Sequence, residues 1–374
     1  MLVYEAKLKG KQYQYRRLDE AIRTGLFIRN SCLRYWEDGH AKSRNDLYKY
    51  VTRLAKEHNF PWASKLNSQA RQAMAERTWA AISRFFDNCK HQMPGKKGYP
   101  KYKRNRVNHG SVEYKVTGWK LSENRDRITF TDGFKAGSFR LYDTRDLNYY
   151  QLEQIKRVRV VRRADGYYAQ FCIDHDRVED KQPTGKTVGL DVGIAAFYTD
   201  SDGNKVVNSK YLKKSEKSLK RLQKRVSRKF KKGHLQSNSY KKAKQKLAKK
   251  HLKVSRQRKD FAVKTALCVV RSNDLVAYVR AACRRQDLKV RNLVKNHKLA
   301  KSISVCAAWC DSSIASWTMF REWVEYFGKV FGTVTVAVPP HYTSQNCSNC
   351  GATVKKSLST RTHKCKCGTV LDSR

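Results

Sequence analysis

The chain has 374 residues, of which 80 are Lys or Arg and 32 are Asp or Glu, a formal net charge of +48. Self-repulsion on that scale calls for a polyanionic partner, and nucleic acid is the one whose neutralised phosphates release counterions. With 7 Trp, 20 Tyr and 14 Phe it is no disordered basic tail: the aromatics suit both a folded core and base stacking, whereas ribosomal proteins are usually shorter and less aromatic.

The length predicts about two to four modules. No run of apolar residues approaches the ~18 needed for a transmembrane helix, so no membrane partner is expected. Met1-Leu2-Val3-Tyr4-Glu5 lacks the charge and apolar core of a signal peptide. Eleven cysteines, most of them scattered without evident pairing, suit a reduced compartment better than a disulfide framework. A cytoplasmic, nucleoid-associated protein is expected.

Leu2–Lys9 reads as a strand. Residues 17–92 carry helical periodicity through Leu18, Ile22, Leu26 and Ile28, then Ala70, Met74, Trp79, Ile82 and Phe86. Met93-Pro94-Gly95-Lys96-Lys97-Gly98-Tyr99-Pro100 breaks the pattern. Residues 101–106 follow with Lys101, Lys103 and Arg104 as candidate phosphate contacts, exposed loop cations being the plain alternative. Short alternating strands then run over residues 112–116, 127–130, 138–141, 158–162 and 167–173, with Asp165-Gly166 a hairpin signal between the last two. The first strand would join these in a small barrel interrupted by the helices, and residues 177–184 read as a linker.

Thr187-Val188-Gly189-Leu190-Asp191-Val192-Gly193-Ile194 is an apolar run ending in one carboxylate. Residues 195–199 read as a second strand, and Asp200-Ser201-Asp202-Gly203-Asn204 as a turn into Lys205-Val206-Val207. A strand-end Asp beside a tight hairpin resembles the first metal ligand of ribonuclease-H-like folds, although Gly-Leu-Asp-x-Gly also caps plain hairpins. Residues 211–260 hold 21 Lys or Arg and only Glu216 and Asp260 as acids. Their apolar residues form two seams, Leu219, Leu222, Val226 and Phe230, then Tyr240, Ala243, Leu247 and Val254. This predicts a helical hairpin with a dense basic exterior, and so much charge favours nucleic-acid contact over a merely solvated face. A helix over 261–270, a strand over 275–279, a helix through Phe320, Trp323, Phe327 and Val330, and a strand over 333–338 complete an α/β order.

Cys347-Ser348-Asn349-Cys350 and Cys365-Lys366-Cys367-Gly368 supply two close thiol pairs. Four thiolates with no acid among them fit a closed, structural Zn²⁺ site at Cys347, Cys350, Cys365 and Cys367. Two disulfides are the alternative, and His363 reads as a neighbour.

Several of these stretches resemble the TnpB family, RNA-guided nucleases carried by insertion-sequence transposons and ancestral to type V CRISPR effectors. They are Gly189-Leu190-Asp191-Val192-Gly193, the basic hairpin, residues 292–304 and the run Tyr342-Thr343-Ser344-Gln345-Asn346-Cys347-Ser348-Asn349-Cys350. The resemblance implies an α+β multidomain chain. A wedge β-barrel would take residues 1–16 and 100–178, and a helical recognition domain 17–99. A RuvC-like, ribonuclease-H-like α/β core would take 179–340 with the basic hairpin at 211–260, then a zinc-binding module 341–370 and a last RuvC-like piece 371–374. It implies two nucleic-acid partners: a guide RNA from a transposon-end-like locus, and double-stranded target DNA with a short adjacent motif read by the protein. Ser68, Gln69, Arg71 and Gln72 are candidate motif readers, because amide and guanidinium groups make bidentate contacts to base edges. Lys101, Lys103, Arg104, Lys224, Arg225, Arg228, Lys241, Lys242, Lys295 and Lys298 are candidate backbone contacts.

The family cleaves DNA with two metals held by Asp, Glu and Asp. Asp191 matches the first. The Glu position falls on Val279 or, aligned from the other side, on Gln286, and the last Asp falls on Arg374. Asp287 is one residue out of place, which on a strand points to the opposite face, and Asp274 and Glu322 belong to the wrong sides of their elements. One carboxylate should not hold two Mg²⁺ ions. The expectation is therefore a nuclease-dead derivative, similar to TnpB-derived repressors of the TldR type, that binds guide-matched DNA and blocks transcription. An active transposon nuclease, an effector recruiting transposition or other proteins, and a decayed copy are the alternatives.

Overall fold

The structure, a computed structural model, describes residues 1–93, 95, 97–104, 110–142, 146–192, 196–279, 316–338, 345–347, 349–355 and 362–372. It divides into two units, Met1–Asp176 and Arg177–Arg374, both of mixed α and β structure.

The first unit opens with β1 (Leu2–Lys9), which alternates strictly: Tyr4, Ala6 and Leu8 are buried and their neighbours are not. Three helices follow, α1 (Gln12–Glu37), α2 (Arg44–Leu54) and α3 (Ser68–Lys90). The first helix starts well before the periodic residues do, because Gln14 Oε1 accepts from Lys11 N at 2.8 Å and closes the first turn. Ser43 and Asp46 form the equivalent box for α2, and Asn67 caps α3 by accepting from Gln69 N.

Six more strands complete the unit: β2 (Gly110–Tyr114), β3 (Trp119–Leu121), β4 (Arg127–Phe130), β5 (Gly137–Tyr142), β6 (Ile155–Arg163) and β7 (Gly166–Ile173). They form one antiparallel sheet of order β2-β6-β7-β1-β5-β4-β3. The β6–β7 hairpin closes on Arg163 opposite Gly166, so its loop is Ala164-Asp165. The sheet curls strongly. Tyr114, on one edge strand, packs its ring 5.3 Å from Phe130 of β4 and donates to Asp132 Oδ2 at 2.6 Å, although β4 is next to the opposite edge. Inside the curl lie Val112, Phe139, Val158, Val160, Ala169 and Phe171, with Leu18, Ala21, Ile22 and Met74 packed against them from the helices. Gly110 lets α1 come this close, since a Cβ there would sit 2.5 Å from Ile22 Cγ2. On the outer face Glu113 is buried, a placement that costs several kcal/mol for an unpaired carboxylate. Here it accepts from Arg157 at 2.8 Å and from Arg159 at 2.7 Å.

The second unit contains β8 (Thr187–Val192), β9 (Ala196–Asp200), β10 (Lys205–Val207), α4 (Tyr211–Lys229), α5 (Asn238–Ser272), β11 (Leu275–Val279), α6 (Ser316–Phe331), β12 (Val334–Val338), β13 (Thr362–Lys364) and β14 (Val370–Asp372). The main sheet has the order β10-β9-β8-β11-β12. Strands β8, β11 and β12 run parallel, and the β8-β9-β10 meander is antiparallel. One face is covered: Val188, Leu190, Val276 and Tyr278 pack on Ala262, Ala266 and Val270 of α5 and on Phe320, Val324 and Phe327 of α6.

At the entrance of β11, Asp274 ties the strand bases together. Its carboxylate accepts from Lys181 Nζ at 3.0 Å, Thr184 N at 2.7 Å and Gly185 N at 2.6 Å, while Lys181 also donates to Val270 O and Thr333 Oγ1. The Lys181 ammonium, helped by the Gly185 and Thr184 N–H groups, holds this carboxyl at about 2. A folded value below the unfolded value of ~3.9 stabilises the fold above that pH, and the contribution is lost as pH falls through the folded value. Asp274→Asn is therefore expected to lower the Tm at neutral pH, with the gap from the parent closing between roughly pH 4 and 2. Thermal melts followed by circular dichroism measure this; a gap that ignores pH would show that the charge contributes nothing.

Candidate nucleic-acid interface and metal centres

On β8 the inward residues are Val188 and Leu190, so the two-residue period turns Thr187, Gly189 and Asp191 to the face opposite α5 and α6. Asp191 pairs with Thr199 across β9. On the other side the parallel register sets Ala277 beside Gly189 and Tyr278 beside Leu190. One step further brings Val279 level with Asp191, and Val279 in turn pairs with Val338. The carboxylate overlooks a shallow depression of about 260 Å³ lined by Gly189, Thr199, Ser201, Ala277 and Val338 among others. Although its side chain is exposed, the surrounding strands desolvate the carboxyl enough to raise its pKa, against the Val192 N–H.

Other acids are engaged elsewhere. Asp200 lines the same depression, but its oxygens accept from Asp202 N at 3.1 Å, Asn204 N at 2.7 Å and Asn204 Nδ2 at 3.1 Å, closing the β9–β10 turn. Asp274 lies at the opposite end of the sheet's strands, and Glu322 is on α6. Gln286, Asp287 and Arg374 lie outside the described residues.

The four cysteines do converge. Cys347 Sγ is 3.6 Å from Cys367 Sγ, Cys350 Sγ is 3.5 Å from Cys365 Sγ, and all four sulfurs lie within 4.8 Å of one another. Four sulfurs about 2.3 Å from a shared tetrahedral ion would be about 3.8 Å apart, whereas a disulfide needs about 2 Å. These side chains therefore fit one metal ion. They are the one group of three or more His, Cys, Asp or Glu side chains among the described residues close enough to do so. Each pair rides on a turn whose glycine is left-handed, Gly351 at φ +71° and Gly368 at φ +84°. The N–H groups of Cys350 and Asn349 pull the Cys347 thiol down to about 5. The Ala352 N–H acts the same way on Cys350, but Cys365, Cys367 and Cys347 outweigh it and push that thiol up to about 12. His363 is buried on β13 beside Cys347 and is a neighbour of the set.

Helices α4 and α5 pair through Leu219, Val226 and Leu247, with Leu212, Leu222, Tyr240 and Ala243 around them. Away from that seam, Lys217, Lys220, Arg221, Lys224, Arg225 and Arg228 recur at intervals of three and four and line one face of α4. Lys224, Arg225, Arg228, Lys241 and Lys242 are all exposed. Lys295 and Lys298 lie outside the described residues.

In the first unit, the candidate motif readers sit in the first turn of α3 and do different things. Arg71 Nη1 donates to Ser64 O at 3.1 Å and Leu66 O at 2.5 Å, fastening the loop before the helix. Gln69 Oε1 accepts from Thr117 N at 3.1 Å. Ser68 is exposed and Gln72 half-buried. Sequence reasoning had no signal for Arg71's carbonyl partners, which the chain path alone supplies. Lys101, Lys103 and Arg104 are exposed; partial desolvation of the Lys103 ammonium lowers its pKa, with Arg29 and Arg77 nearby adding to the effect.

Residues 170–297 match a family described as a probable transposase, and residues 317–373 match the Cas12f1-like TNB domain. The chain is 28% identical over 324 residues to a putative RNA-guided DNA endonuclease of Streptomyces pristinaespiralis, covering 86% of this chain and 72% of that one. It is also 28% identical over 277 residues to the putative RNA-guided DNA endonuclease InsQ of Escherichia coli K12, covering 72% of this chain and 63% of the relative. Two solved structures share its fold at low identity. One is a Cas12f1–sgRNA–target DNA complex, with a TM-score of 0.52, 12% identity and coverage of 92% of this chain and 76% of the other. The second is the mini-RNA-guided endonuclease CRISPR-Cas phi3, with a TM-score of 0.51, 9% identity and coverage of 100% and 90%. The chain is thus similar to a probable transposase family over residues 170–297, to the Cas12f1-like TNB domain over 317–373, and at 28% identity to putative RNA-guided DNA endonucleases.

Proposed function

We propose that this chain is an RNA-guided, double-stranded-DNA-binding protein whose nuclease site is inactive and which blocks transcription at guide-matched sites. The observation that carries the reading is the register of β8 and β11. It sets Val279, which cannot ligate a metal, level with Asp191. A two-metal centre needs carboxylates on adjacent strand ends to clamp both ions; the described residues around the depression offer Asp191 and Asp200, and Asp200 is taken up by the β9–β10 turn. They do not fit a pair of Mg²⁺ ions.

The remaining parts support binding. The sheet order of the second unit, antiparallel β8-β9-β10 beside parallel β11 and β12, is the one expected of a RuvC-like core. The curled sheet of the first unit agrees with a wedge barrel, and α1–α3 with its recognition insert. The cysteine cluster would hold a structural Zn²⁺ in a ribbon module, and α4 and α5 would track phosphates. Ser68, Gln69 and Gln72 would read the motif beside the target, with Arg71 shaping the loop beneath them.

Both curated relatives are named as endonucleases, which favours an active nuclease as the rival reading. One experiment separates the two. The protein is purified with its co-expressed RNA, that RNA is sequenced, and matched DNA is offered with Mg²⁺ or Mn²⁺. Retarded but uncut DNA, with binding unchanged in Asp191→Ala, is the expected result. Metal-dependent cleavage that Asp191→Ala abolishes would overturn it.

A further inference from the structure

Residues 97–104 form a strap pinned against the helices of the first unit. Asn88 Nδ2 donates to Lys97 O at 3.0 Å, Arg29 Nη1 donates to Lys101 O at 3.1 Å, and Asn30 exchanges two bonds with the Lys103 backbone at 2.9 and 3.0 Å. Two tyrosines of the strap share one acceptor. Tyr99 OH donates to Glu37 Oε1 at 3.0 Å, and Tyr102 OH donates to the other oxygen of the same carboxylate. The rings are nevertheless 47% and 50% exposed, and neighbouring Phe86 is 53% exposed. Tyr99 is backed by Phe85 with centroids 5.2 Å apart and by Trp36 at 6.1 Å, and Trp36 also meets Phe86 at 6.1 Å.

An exposed tyrosine held only by solvent would sample several rotamers and gain little from ordering. Here Glu37 fixes both hydroxyls and the helix aromatics back the Tyr99 ring, so half-exposed π-surface is held in place at little further entropic cost. The hydrogen bond to Glu37 also pushes the Tyr102 hydroxyl up to about 12. Exposed cations alternate with the rings in Tyr99-Pro100-Lys101-Tyr102-Lys103-Arg104. Base faces are hidden in duplexes and available in unpaired RNA, where aromatic stacking is the usual mode of capture.

We infer that Tyr99, Tyr102 and Phe86 form a stacking platform for unpaired RNA bases, with Lys101 and Arg104 holding the flanking phosphates. This rests on the reading of the chain as an RNA-binding protein, and it places an unpaired stretch of that RNA on the first unit.

The test uses the full chain and a 12-nucleotide single-stranded RNA with central 2-aminopurine, whose fluorescence falls on stacking. Excess unlabelled duplex DNA occupies the surfaces that bind only phosphates. The parent should quench the probe. Tyr99→Leu/Tyr102→Leu should weaken the quenching interaction at least 10-fold with an unchanged thermal melt, and Tyr99→Phe/Tyr102→Phe should restore most of it. Equal quenching by the Leu pair, an equal loss in the Phe pair, or quenching only of the matching DNA probe would each overturn the platform. Failure of guide-dependent DNA retention with the quench intact would instead overturn the function proposed above.

Discussion

Replacing Cys347 with serine, or stripping metal with a strong chelator, is expected to unfold the 345–372 region while the two larger cores stay folded. The reason is the poverty of that region in other stabilising contacts. Its one regular element is the two-stranded β13–β14 ladder, and Cys347 and His363 are its buried side chains among the described residues. An isolated two-stranded hairpin is marginal at best in water, so its order must come from the ligands. Four thiolates binding Zn²⁺ supply roughly 10–16 kcal/mol of folding energy in zinc-finger peptides, far more than any packing change in so small a module. The purified chain is expected to carry one Zn²⁺ by elemental analysis, and Cys347→Ser to carry close to none. With the metal removed, four more thiols than in the metal-loaded protein should react with a disulfide reagent under native conditions, beyond those such as Cys89 and Cys268 that are exposed already. A chain that holds no metal yet keeps those four thiols protected would refute the assignment.

The cysteine set was legible because its information is local: two short spacings and turn glycines suffice to forecast a cluster. The same holds for the helical hairpin, whose Leu219, Val226 and Leu247 recur with the helical period and meet as expected. Phe230 shows the limit. It continues the period, but α4 ends at Lys229, and the residue turns extended and 54% exposed, with its ring 6.0 Å from that of Tyr240. Strand β3 left no trace at all, since three residues cannot display an alternation. Long-range geometry was less legible still. Sequence alignment left Val279 and Gln286 as equal candidates for the second carboxylate position, because the register of a parallel pair is set by what packs beneath it. The buried pairs Val188–Val276 and Leu190–Tyr278, pressed on α5 and α6, set the register that brings Val279 level with Asp191, while Gln286 lies outside the described residues. The curl that joins Tyr114 to Asp132 likewise depends on five intervening strand pairings, none of which is encoded near either residue.

Neutralising Lys224, Arg225, Arg228, Lys241 and Lys242 together to glutamine is expected to weaken DNA binding on the order of 10³-fold near physiological salt, estimated from the counterions that five phosphate contacts release. The salt dependence should change with it: a slope of about −0.9 per contact on duplex DNA means that log K against log salt flattens by roughly 4 to 5. The substitutions lie on the exposed faces of α4 and α5, away from the apolar seam. With net charge so high, removing like charges relieves repulsion, so the hairpin should stay as helical as the parent. Because phosphates carry no sequence, the loss should be equal for guide-matched and unmatched duplexes. That equality separates these helices from the first turn of α3, where Gln72→Ala should discriminate between motifs while leaving the slope alone. A slope unchanged in the quintuple variant would mean that α4 and α5 face no phosphates. A loss confined to matched DNA would mean that they read the paired guide rather than the backbone.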